Sequence, residues 1–201
     1  MPDRVVSNGC FYKICAGRVR VFRKADSSEI DAIHRLLIDE AAQGRFDHRL
    51  VEEPYRTGLR QNLQHIRKRG RRLDEELRAQ LLVWENDAGE ATGCVINSAI
   101  QAEYGNEIWM VAVFPEFRGQ GQGHAMNSEL LSFLHPRVDV FSRCAPQAQV
   151  YFRMNLRRGF LPLDTTAQGV RVMKLPKLGA APDAPGTLHQ QLEPFVEMPL
   201  R

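Results

Sequence analysis

The sequence predicts a domain of the α/β (α+β) class, in which a mixed, mostly antiparallel sheet of six to seven strands is flanked by about four helices. Short runs of alternating or continuous apolar residues predict the strands, and longer runs with apolar residues every three or four positions predict the helices. A third observation is a loop with a glycine at every second position, which connects the most apolar predicted strand to a helix. With 201 residues, the chain is long enough for one domain of ordinary size.

The first third of the chain predicts one strand followed by two helices. Residues 18–23 (RVRVFR) alternate between polar and apolar side chains, as in a half-buried strand. Asp26, with Glu29 three residues later, forms a variant of the capping box, and apolar residues at helical spacing follow, so a helix is expected over 27–42. A second apolar stripe predicts another helix over about 53–69.

The middle of the chain predicts three antiparallel strands. Residues 81–87 (LLVWEND) and 91–100 (ATGCVINSAI) are joined by a tight turn, as in a hairpin. After a further turn, EYGNE, the run 108–114 (IWMVAVF) is apolar almost throughout. This pattern is typical of a central strand that is covered on both faces.

The last third predicts a helix, a strand, a helix and two strands. The first helix extends from the glycine loop to about residue 134, and the strand covers 138–142 (VDVFS). The second helix covers 147–158 and is closed by Gly159 as a C-cap. The segments FLPLDT and GVRVMKL predict the final pair of strands.

The composition is that of an ordinary globular protein and excludes several classes. A net charge of +3 suits an anionic ligand such as a nucleotide but is too small to imply nucleic-acid binding. No apolar run is long enough for a membrane span, and the N-terminus lacks the apolar stretch of a secretory leader, so a cytoplasmic protein is expected. The four cysteines and six histidines lack metal-site spacing, so buried reduced thiols and no metal are expected.

Three regions follow from the composition along the chain. Residues 1–17 are interpreted as an N-terminal extension, 18–175 as the domain, and 176–201 as a Pro/Ala-rich C-terminal tail. The tail holds five of the eleven prolines, which predicts an extended or disordered segment.

The glycine loop has the pattern R-x-x-G-x-G and lies between a buried strand and a helix. At that place unpaired main-chain N–H groups point outward and the helix dipole is positive. Alternate glycines permit positive φ and let an anion approach the main chain without an intervening Cβ. The loop therefore predicts a diphosphate cradle, and the alternative is a structural glycine turn without a ligand. The cradle residues are Arg118, Gly119, Gln120, Gly121, Gln122, Gly123 and His124.

Two common phosphate-binding motifs do not fit this loop. The dinucleotide pattern G-x-G-x-x-G would require glycine where His124 or Met126 stands, and the Walker GK[ST] is absent. The pattern that does fit is preceded by residues 112–117 (AVFPEF), and a later helix ends in Gly-Phe. In these motifs, and in the order of its elements over 18–175, the chain resembles the GNAT superfamily of acetyl-CoA-dependent N-acetyltransferases.

The resemblance implies a sheet that splays open after the strand at 108–114, with acetyl-CoA as co-substrate and no metal. The pantetheine arm would pair with the main chain of Val111, Ala112 and Val113, and the diphosphate would lie on the amides of residues 119–124. Arg118 would add charge or brace the loop. An N–H near Val113 would stabilise the oxyanion when an amine attacks the thioester directly.

The resemblance also implies a base and an acid. Glu107 stands where the family often places a base, acting directly or through water, and the alternative is a solvated turn glutamate; Glu103 and Tyr104 are weaker candidates nearby. The family's usual acid is a tyrosine four residues before the glycine of the Gly-Phe pair, but here that residue is Asn155, whose amide could contact the CoA sulfur. Tyr151, one helical turn earlier, is the substitute candidate, and water is the remaining proton source.

Two charged segments have open interpretations. Asp47, Glu52 and Glu53 would form an acidic rim for a cationic amine, or are carboxylates favoured at a helix N-terminus. The run 67–72 (RKRGRR) is a solvated surface, or a dock for the CoA 3′-phosphate, an acidic substrate or RNA.

The sequence therefore predicts a cytoplasmic N-acetyltransferase that moves an acetyl group from acetyl-CoA to a primary amine in a ternary complex. The acceptor would be the amine of a small molecule or of a protein, and the resemblance leaves a homodimer open; no membrane or nucleic-acid partner is expected. The alternatives are an acyltransferase that uses a longer acyl-CoA, and a CoA-binding regulatory or interaction module without turnover.

Overall fold

The computed structural model of the protein describes residues 6–7, 10–15, 18–73, 77–98 and 105–180, and its side chains from Phe22 onwards. These residues form nine strands and four α-helices. The strands are β1 Val6–Ser7, β2 Cys10–Cys15, β3 Arg18–Lys24, β4 Ala79–Glu85, β5 Ala91–Ser98, β6 Asn106–Val113, β7 Val140–Cys144, β8 Leu161–Thr165 and β9 Arg171–Leu175. The helices are α1 Ile30–Ala42, α2 Tyr55–Arg69, α3 Gln122–Leu134 and α4 Gln149–Arg157.

All nine strands belong to one sheet, in the order β1-β2-β3-β4-β5-β6-β7-β9-β8. The β6–β7 pair is parallel and the other pairs are antiparallel, which confirms the mixed, mostly antiparallel sheet. The seven predicted strands are all present. The sheet has two more strands than predicted, because residues 6–7 and 10–15, assigned to the N-terminal extension, pair as a hairpin onto β3.

The four predicted helices are confirmed with small shifts at their ends. The Glu29 carboxylate accepts a hydrogen bond of 2.7 Å from the Asp26 amide, as expected of the capping box, and a short 3-10 turn at Ser27–Glu29 leads into α1. Gly159 follows α4 with φ of +86°, which agrees with the predicted C-cap.

Strand β6 differs from its prediction at both ends. It begins at Asn106, inside the segment EYGNE that was predicted to be a turn, and it ends at Val113 instead of residue 114. The reason is tertiary: Asn106 to Ile108 form a parallel ladder with β7, a partner that the local sequence does not show. Strand β7 also begins two residues late, because the Val138 amide still bonds to Leu134 at the end of α3.

The sheet is covered on both faces by helices. In β4, Leu81 and Val83 belong to the core under α1 and α2, whereas Leu82 and Trp84 belong to the core under α3. This alternation follows from the two-residue period of a strand. The predicted near-continuous apolar runs are therefore strands that are buried on two sides.

The sheet opens between β6 and β7. Their ladder covers only Asn106–Ile108, and the rest of β6, from Trp109 to Val113, is paired with β5 alone. Trp109 lies in a bulge, since Ile108 and Met110 oppose consecutive residues of β5. A bulge bends its strand, so the split begins where the bulge lies. The predicted splay is confirmed, and it starts inside β6 and not after it.

Several expectations concern regions that are described in part. Cys94 and Cys144 are buried free thiols, as predicted, whereas the side chains of Cys10 and Cys15 lie outside the described residues. Residues 181–201, most of the predicted tail, also lie outside them. No helix in the described part of the chain combines the length and hydropathy that a membrane span requires.

Candidate active site

The glycine loop enters α3 through two residues with left-handed backbone geometry. Gly119 has φ of +73° and Gly121, the N-cap of α3, has φ of +76°. A Cβ added to either glycine would meet no heavy atom within 4 Å. The space above the loop is therefore open to a ligand, and the backbone geometry is one that only glycine adopts without strain.

The main-chain N–H groups of the loop have no acceptor among the described residues. None of the six amides from residue 119 to residue 124 donates a hydrogen bond within the described part of the chain, and the first helical bond is made by Ala125 to Gly121. Six consecutive free donors at the positive end of a helix form an anion-binding concavity. This is the geometry that the glycine spacing predicted.

Two contacts hold the loop against the sheet, and a third lies within the loop. A Cβ on Gly123 would lie 3.4 Å from the Val113 Cγ2 atom, so α3 begins in van der Waals contact with the end of β6. The Gln122 side chain accepts a hydrogen bond of 3.2 Å from the indole of the buried Trp84. Gln120 donates its side-chain amide to the Glu116 carbonyl at 2.8 Å, across the loop.

The open edge of β6 exposes the main chain of alternate residues. The Phe114 amide donates to Thr92 in β5, and Ala112 opposes Cys94 in the same ladder. Successive residues of a strand point their polar groups to opposite sides. The N–H and C=O groups of Val111 and Val113 therefore face the split, whereas those of Ala112 face β5. The predicted pairing of the pantetheine arm with the main chain of Ala112 does not fit this register.

Arg118 is braced by other protein groups. Its Nε atom donates to the Val113 carbonyl at 3.0 Å, and its Nη2 atom lies 2.7 Å from the Glu40 carboxylate of α1. Of the two predicted roles, added charge or a brace, these contacts favour the brace.

Glu107 is a buried strand residue and not a solvated turn glutamate, so that alternative was wrong. It is 3% exposed; the Arg143 Nε atom lies 2.8 Å from one carboxylate oxygen, and the Trp109 indole donates to the other at 2.8 Å. The Arg72 guanidinium stacks over the Trp109 ring at 4.9 Å. Burial raises the pKa of Glu107 above its usual range, and Arg143 opposes that shift.

Tyr151 lies on α4 beside the split. Its half-buried ring packs on the same core as Val111 and Val113, and its hydroxyl is 3.4 Å from the Ser142 Oγ atom of β7. Burial raises the pKa of Tyr151 to about 12, so the phenol keeps its proton at neutral pH.

Asn155, one turn further along α4, is fully buried and holds three elements together. It accepts from the Asn127 amide of α3 at 3.2 Å and donates to the Ser142 hydroxyl of β7 at 3.4 Å. Its amide is therefore occupied by internal partners, while it also lies beside the Tyr151 hydroxyl.

The candidate base and the candidate acid lie on opposite faces of the split sheet. Ser142 and Arg143 are consecutive in β7, so their side chains point to opposite faces. Ser142 is next to Tyr151, and Arg143 is paired with Glu107. A thioester held in the split would thus have a carboxylate on one side and a phenol on the other.

Arg158 is a cation that sequence reasoning did not single out. Its Nη2 atom bonds to the His124 carbonyl, the His124 Nδ1 atom and the Ser128 hydroxyl, at 2.9, 3.2 and 2.7 Å. Since arginine only donates, His124 accepts through Nδ1. Desolvation lowers the pKa of Arg158, and its bonded partners are neutral groups on the first turns of α3.

The remaining charged segments fit their structural interpretations except at Arg72, which was predicted to be solvated but is only 8% exposed because it stacks on Trp109. Asp47 pairs with Arg49 at 2.6 Å, and Glu53 accepts from the Thr57 amide at the start of α2, as carboxylates do near helix N-termini. Three basic residues of the run 67–72 form the last turn of α2. Glu103 and Tyr104 lie outside the described residues, and no group of three or more potential metal ligands occurs among the side chains that are described.

No family model and no curated protein matches this chain. Solved structures do match. PaiA N-acetyltransferase from Thermoplasma acidophilum, in complex with CoA, is 15% identical with a TM-score of 0.60, over 78% of this chain and 98% of that one. Spermidine N-acetyltransferase from Vibrio cholerae, in complex with CoA and spermine, is 15% identical with a TM-score of 0.59, over 79% and 95%.

A third similar structure is that of a protein described as a GNAT superfamily member. The GNAT superfamily phosphinothricin acetyltransferase from Sinorhizobium meliloti, in complex with AcCoA, is 18% identical with a TM-score of 0.58, over 79% of this chain and 88% of that one. The TM-scores show a shared architecture at low sequence identity. The protein has the fold of the GNAT superfamily of acetyltransferases.

Proposed function

We propose that this protein is an N-acetyltransferase that transfers the acetyl group of acetyl-CoA to a primary amine by direct attack in a ternary complex. The observation that carries the proposal is the row of six free amides at residues 119–124, next to the open edge of β6. Two of the three similar structures are named N-acetyltransferases, and all three contain CoA or AcCoA. The activities in these names support an amine acceptor here.

The proposed binding mode uses the two surfaces that the fold leaves unpaired. The loop amides would hold the diphosphate, and the main-chain groups of Val111, together with the N–H of Val113, would face the pantetheine arm and the thioester. The Val113 carbonyl already accepts from Arg118, so its N–H is the group left to bind the thioester oxygen. An N–H donor at that oxygen stabilises the negative charge that develops when the amine attacks.

Glu107 and Tyr151 are the proposed proton-transfer groups. Each Glu107 oxygen accepts one hydrogen bond from Arg143 or Trp109 and retains a further lone pair. Through that lone pair Glu107 takes a proton from the bound ammonium, directly or through water, and so forms the neutral amine that attacks. The amine nitrogen then forms a bond to the carbonyl carbon, the carbon–sulfur bond breaks, and Tyr151 donates a proton to the leaving thiolate. The new amide nitrogen loses its second proton to water, and the Tyr151 phenolate takes a proton back from water, so that a neutral amide and free CoA thiol are formed. Asn155 is assigned to supporting Ser142 and Tyr151 instead of contacting the sulfur.

The substitution Gly121→Ala, which adds a Cβ to the loop, tests the diphosphate cradle. Calorimetry should show that Gly121→Ala binds CoA about tenfold or more weakly than the wild type, because alanine at this φ costs about 1–2 kcal/mol and displaces the amides. Gly89 provides a matched control, since it has φ of +78° and equally open surroundings in the β4–β5 turn. Gly89→Ala should lose similar stability and keep its CoA affinity within about twofold.

Equal CoA affinity of the Gly121→Ala variant and the wild type would contradict the cradle. A separate assay distinguishes the enzyme from a CoA-binding module without turnover. Steady release of free thiol from acetyl-CoA with any amine of a test panel supports the enzyme. If the protein binds CoA but releases no thiol with any amine of the panel, the result supports a CoA-binding module without turnover. Faster thiol release from a longer acyl-CoA than from acetyl-CoA would favour an acyltransferase that uses the longer acyl-CoA.

A further inference from the structure

Glu40 is a carboxylate in the apolar face of α1. It is 7% exposed, and its helix neighbours Leu36, Leu37 and Ala41 belong to the core. A buried carboxylate is costly unless cations and hydrogen-bond donors surround it. The groups that surround the Glu40 carboxylate therefore indicate its role.

Two arginines from different parts of the chain meet at Glu40. Arg45, in the loop after α1, places its Nη1 atom 2.8 and 2.9 Å from the two carboxylate oxygens. Arg118, 78 residues away, places its Nη2 atom 2.7 Å from one of them. The carboxylate thus links α1 to the residue that immediately precedes Gly119.

Arg118 is held at two points. While Nη2 contacts Glu40, Nε donates to the Val113 carbonyl at the open end of β6. A guanidinium is planar and rigid, so two bonds from different nitrogens fix its orientation. The start of the cradle is in this way tied to both α1 and β6.

The cradle needs such an anchor because of its own composition. Gly119 and Gly121 have large conformational freedom, and freezing that freedom on binding weakens affinity. A loop that is held in place before the ligand arrives loses less entropy. The Arg118 charge is meanwhile paired with Glu40, so its contribution to binding is made through position and not as a free cation.

We propose that Glu40 is a positioning residue for coenzyme binding: through Arg118 it fixes the start of the glycine loop against the end of β6, so that the loop amides are aligned before the diphosphate binds. The inference rests on the proposed function, because it assumes that this loop binds CoA. Glu40 itself contacts no reacting atom.

The test is a double-mutant cycle read out as CoA affinity by calorimetry. Glu40→Gln and Arg118→Gln should each weaken CoA binding by about five- to tenfold, since each breaks a hydrogen bond to a charged group. If Glu40 acts through Arg118, the CoA affinity of the double variant should equal that of whichever single variant binds CoA less tightly. Chemical denaturation, measured without ligand, separates the affinity change from any loss of stability.

Two further variants keep the test decisive. Arg45→Gln removes a partner of the same carboxylate whose side-chain hydrogen bonds go to Glu40, and its CoA affinity should stay within about twofold of the wild type. Arg118→Lys retains the charge opposite Glu40 but has one nitrogen and cannot make both contacts, so it should weaken CoA binding even if Glu40→Gln does not fold.

Wild-type affinity in Arg118→Lys, or losses in the two Gln variants that add in the double variant, would overturn the role of Glu40. If the wild type binds CoA and the variants bind it with the same affinity, only the role of Glu40 is contradicted. A wild-type protein that binds no CoA contradicts the proposed function as well.

Discussion

Glu107 is buried, and each of its two carboxylate oxygens accepts a hydrogen bond. This environment determines how Glu107 would act as a base. Arg143 and Trp109 hold its two oxygens, so the carboxylate has one orientation. Its pKa is raised by burial, which makes it a stronger proton acceptor than a surface glutamate. The group accepts a proton only when it is ionised, so activity should fall as the pH drops through the raised pKa of Glu107.

Glu107→Gln should lower kcat by about a hundredfold or more, the usual contribution of a general base. The acid limb of the kcat/KM profile, which in the wild type should lie above the ordinary glutamate pKa of about 4.3, should lose the Glu107 component. Steady-state kinetics across pH measures both effects. Glu85→Gln is the matched control, because Glu85 is also a strand glutamate in an ion pair, with Arg23 at 2.6 Å. A Glu107→Gln enzyme with the kcat of the control would remove Glu107 from the mechanism.

Tyr151→Phe should lower kcat more than it raises KM, because the hydroxyl is needed when the thiolate leaves. The expected loss is about ten- to a hundredfold, at the low end for a general acid, since a thiolate is a good leaving group. With a pKa of about 12, the phenol should stay protonated across the assay range. Tyr55→Phe, on α2, makes the same chemical change elsewhere and should keep its kcat. Unchanged kinetics in Tyr151→Phe would assign the proton to water.

At the scale of the elements, the opening in the sheet depends on β6. Its first three residues are in register with β7, and the bulge at Trp109 then bends the strand away. The β6 sequence shows an apolar run but nothing that marks a bulge, because the bulge exists only relative to β5. The start of β6 was predicted two residues too late for a second reason: residues 106–108 pair with β7, a partner that the local sequence does not show. For the same reason Glu107 could not be distinguished from a turn residue.

The helices that flank the opening are joined to each other by polar contacts. Asn155 of α4 bonds to Asn127 of α3 and to Ser142 of β7, and Arg158 reaches from the end of α4 to the first turns of α3. Neither link between α3 and α4 has a sequence signature, since Asn127 and Asn155 are 28 positions apart and His124 and Arg158 are 34 apart. These bonds fix the position of the glycine loop relative to Tyr151, and catalysis requires such fixed relative positions of the reacting groups.

For the whole molecule, ligand binding should appear as added thermal stability. At a CoA concentration about 100 times the Kd, the native state should gain about 2.7 kcal/mol. For a chain of 201 residues, this corresponds to a rise in Tm of about 5–10 °C. Differential scanning calorimetry measures the shift, with adenosine, which lacks phosphates, as the control that should give little or none. An unchanged Tm at millimolar CoA would contradict a coenzyme site anywhere in the fold.

The order of elements, the apolar central strands and the glycine loop were determined by the sequence itself. They depend on local properties: the periodicity of apolar side chains, and glycine at the two loop positions with positive φ. The sequence also contains one signal of the Glu40 contact, a carboxylate three residues after Leu37 on an apolar stripe, but it does not show the partner.

Only the tertiary structure decided which side chains meet. Arg118 with Glu40, Arg143 with Glu107, and Ser142 with Tyr151 lie on different elements, and their distances follow from strand register and helix packing. Whether Glu107 was solvated or buried depended on a parallel ladder with a strand more than 30 residues later. Long-range pairing sets burial and partners, so local pattern predicts the elements and the chain's tertiary packing determines the chemistry of the site.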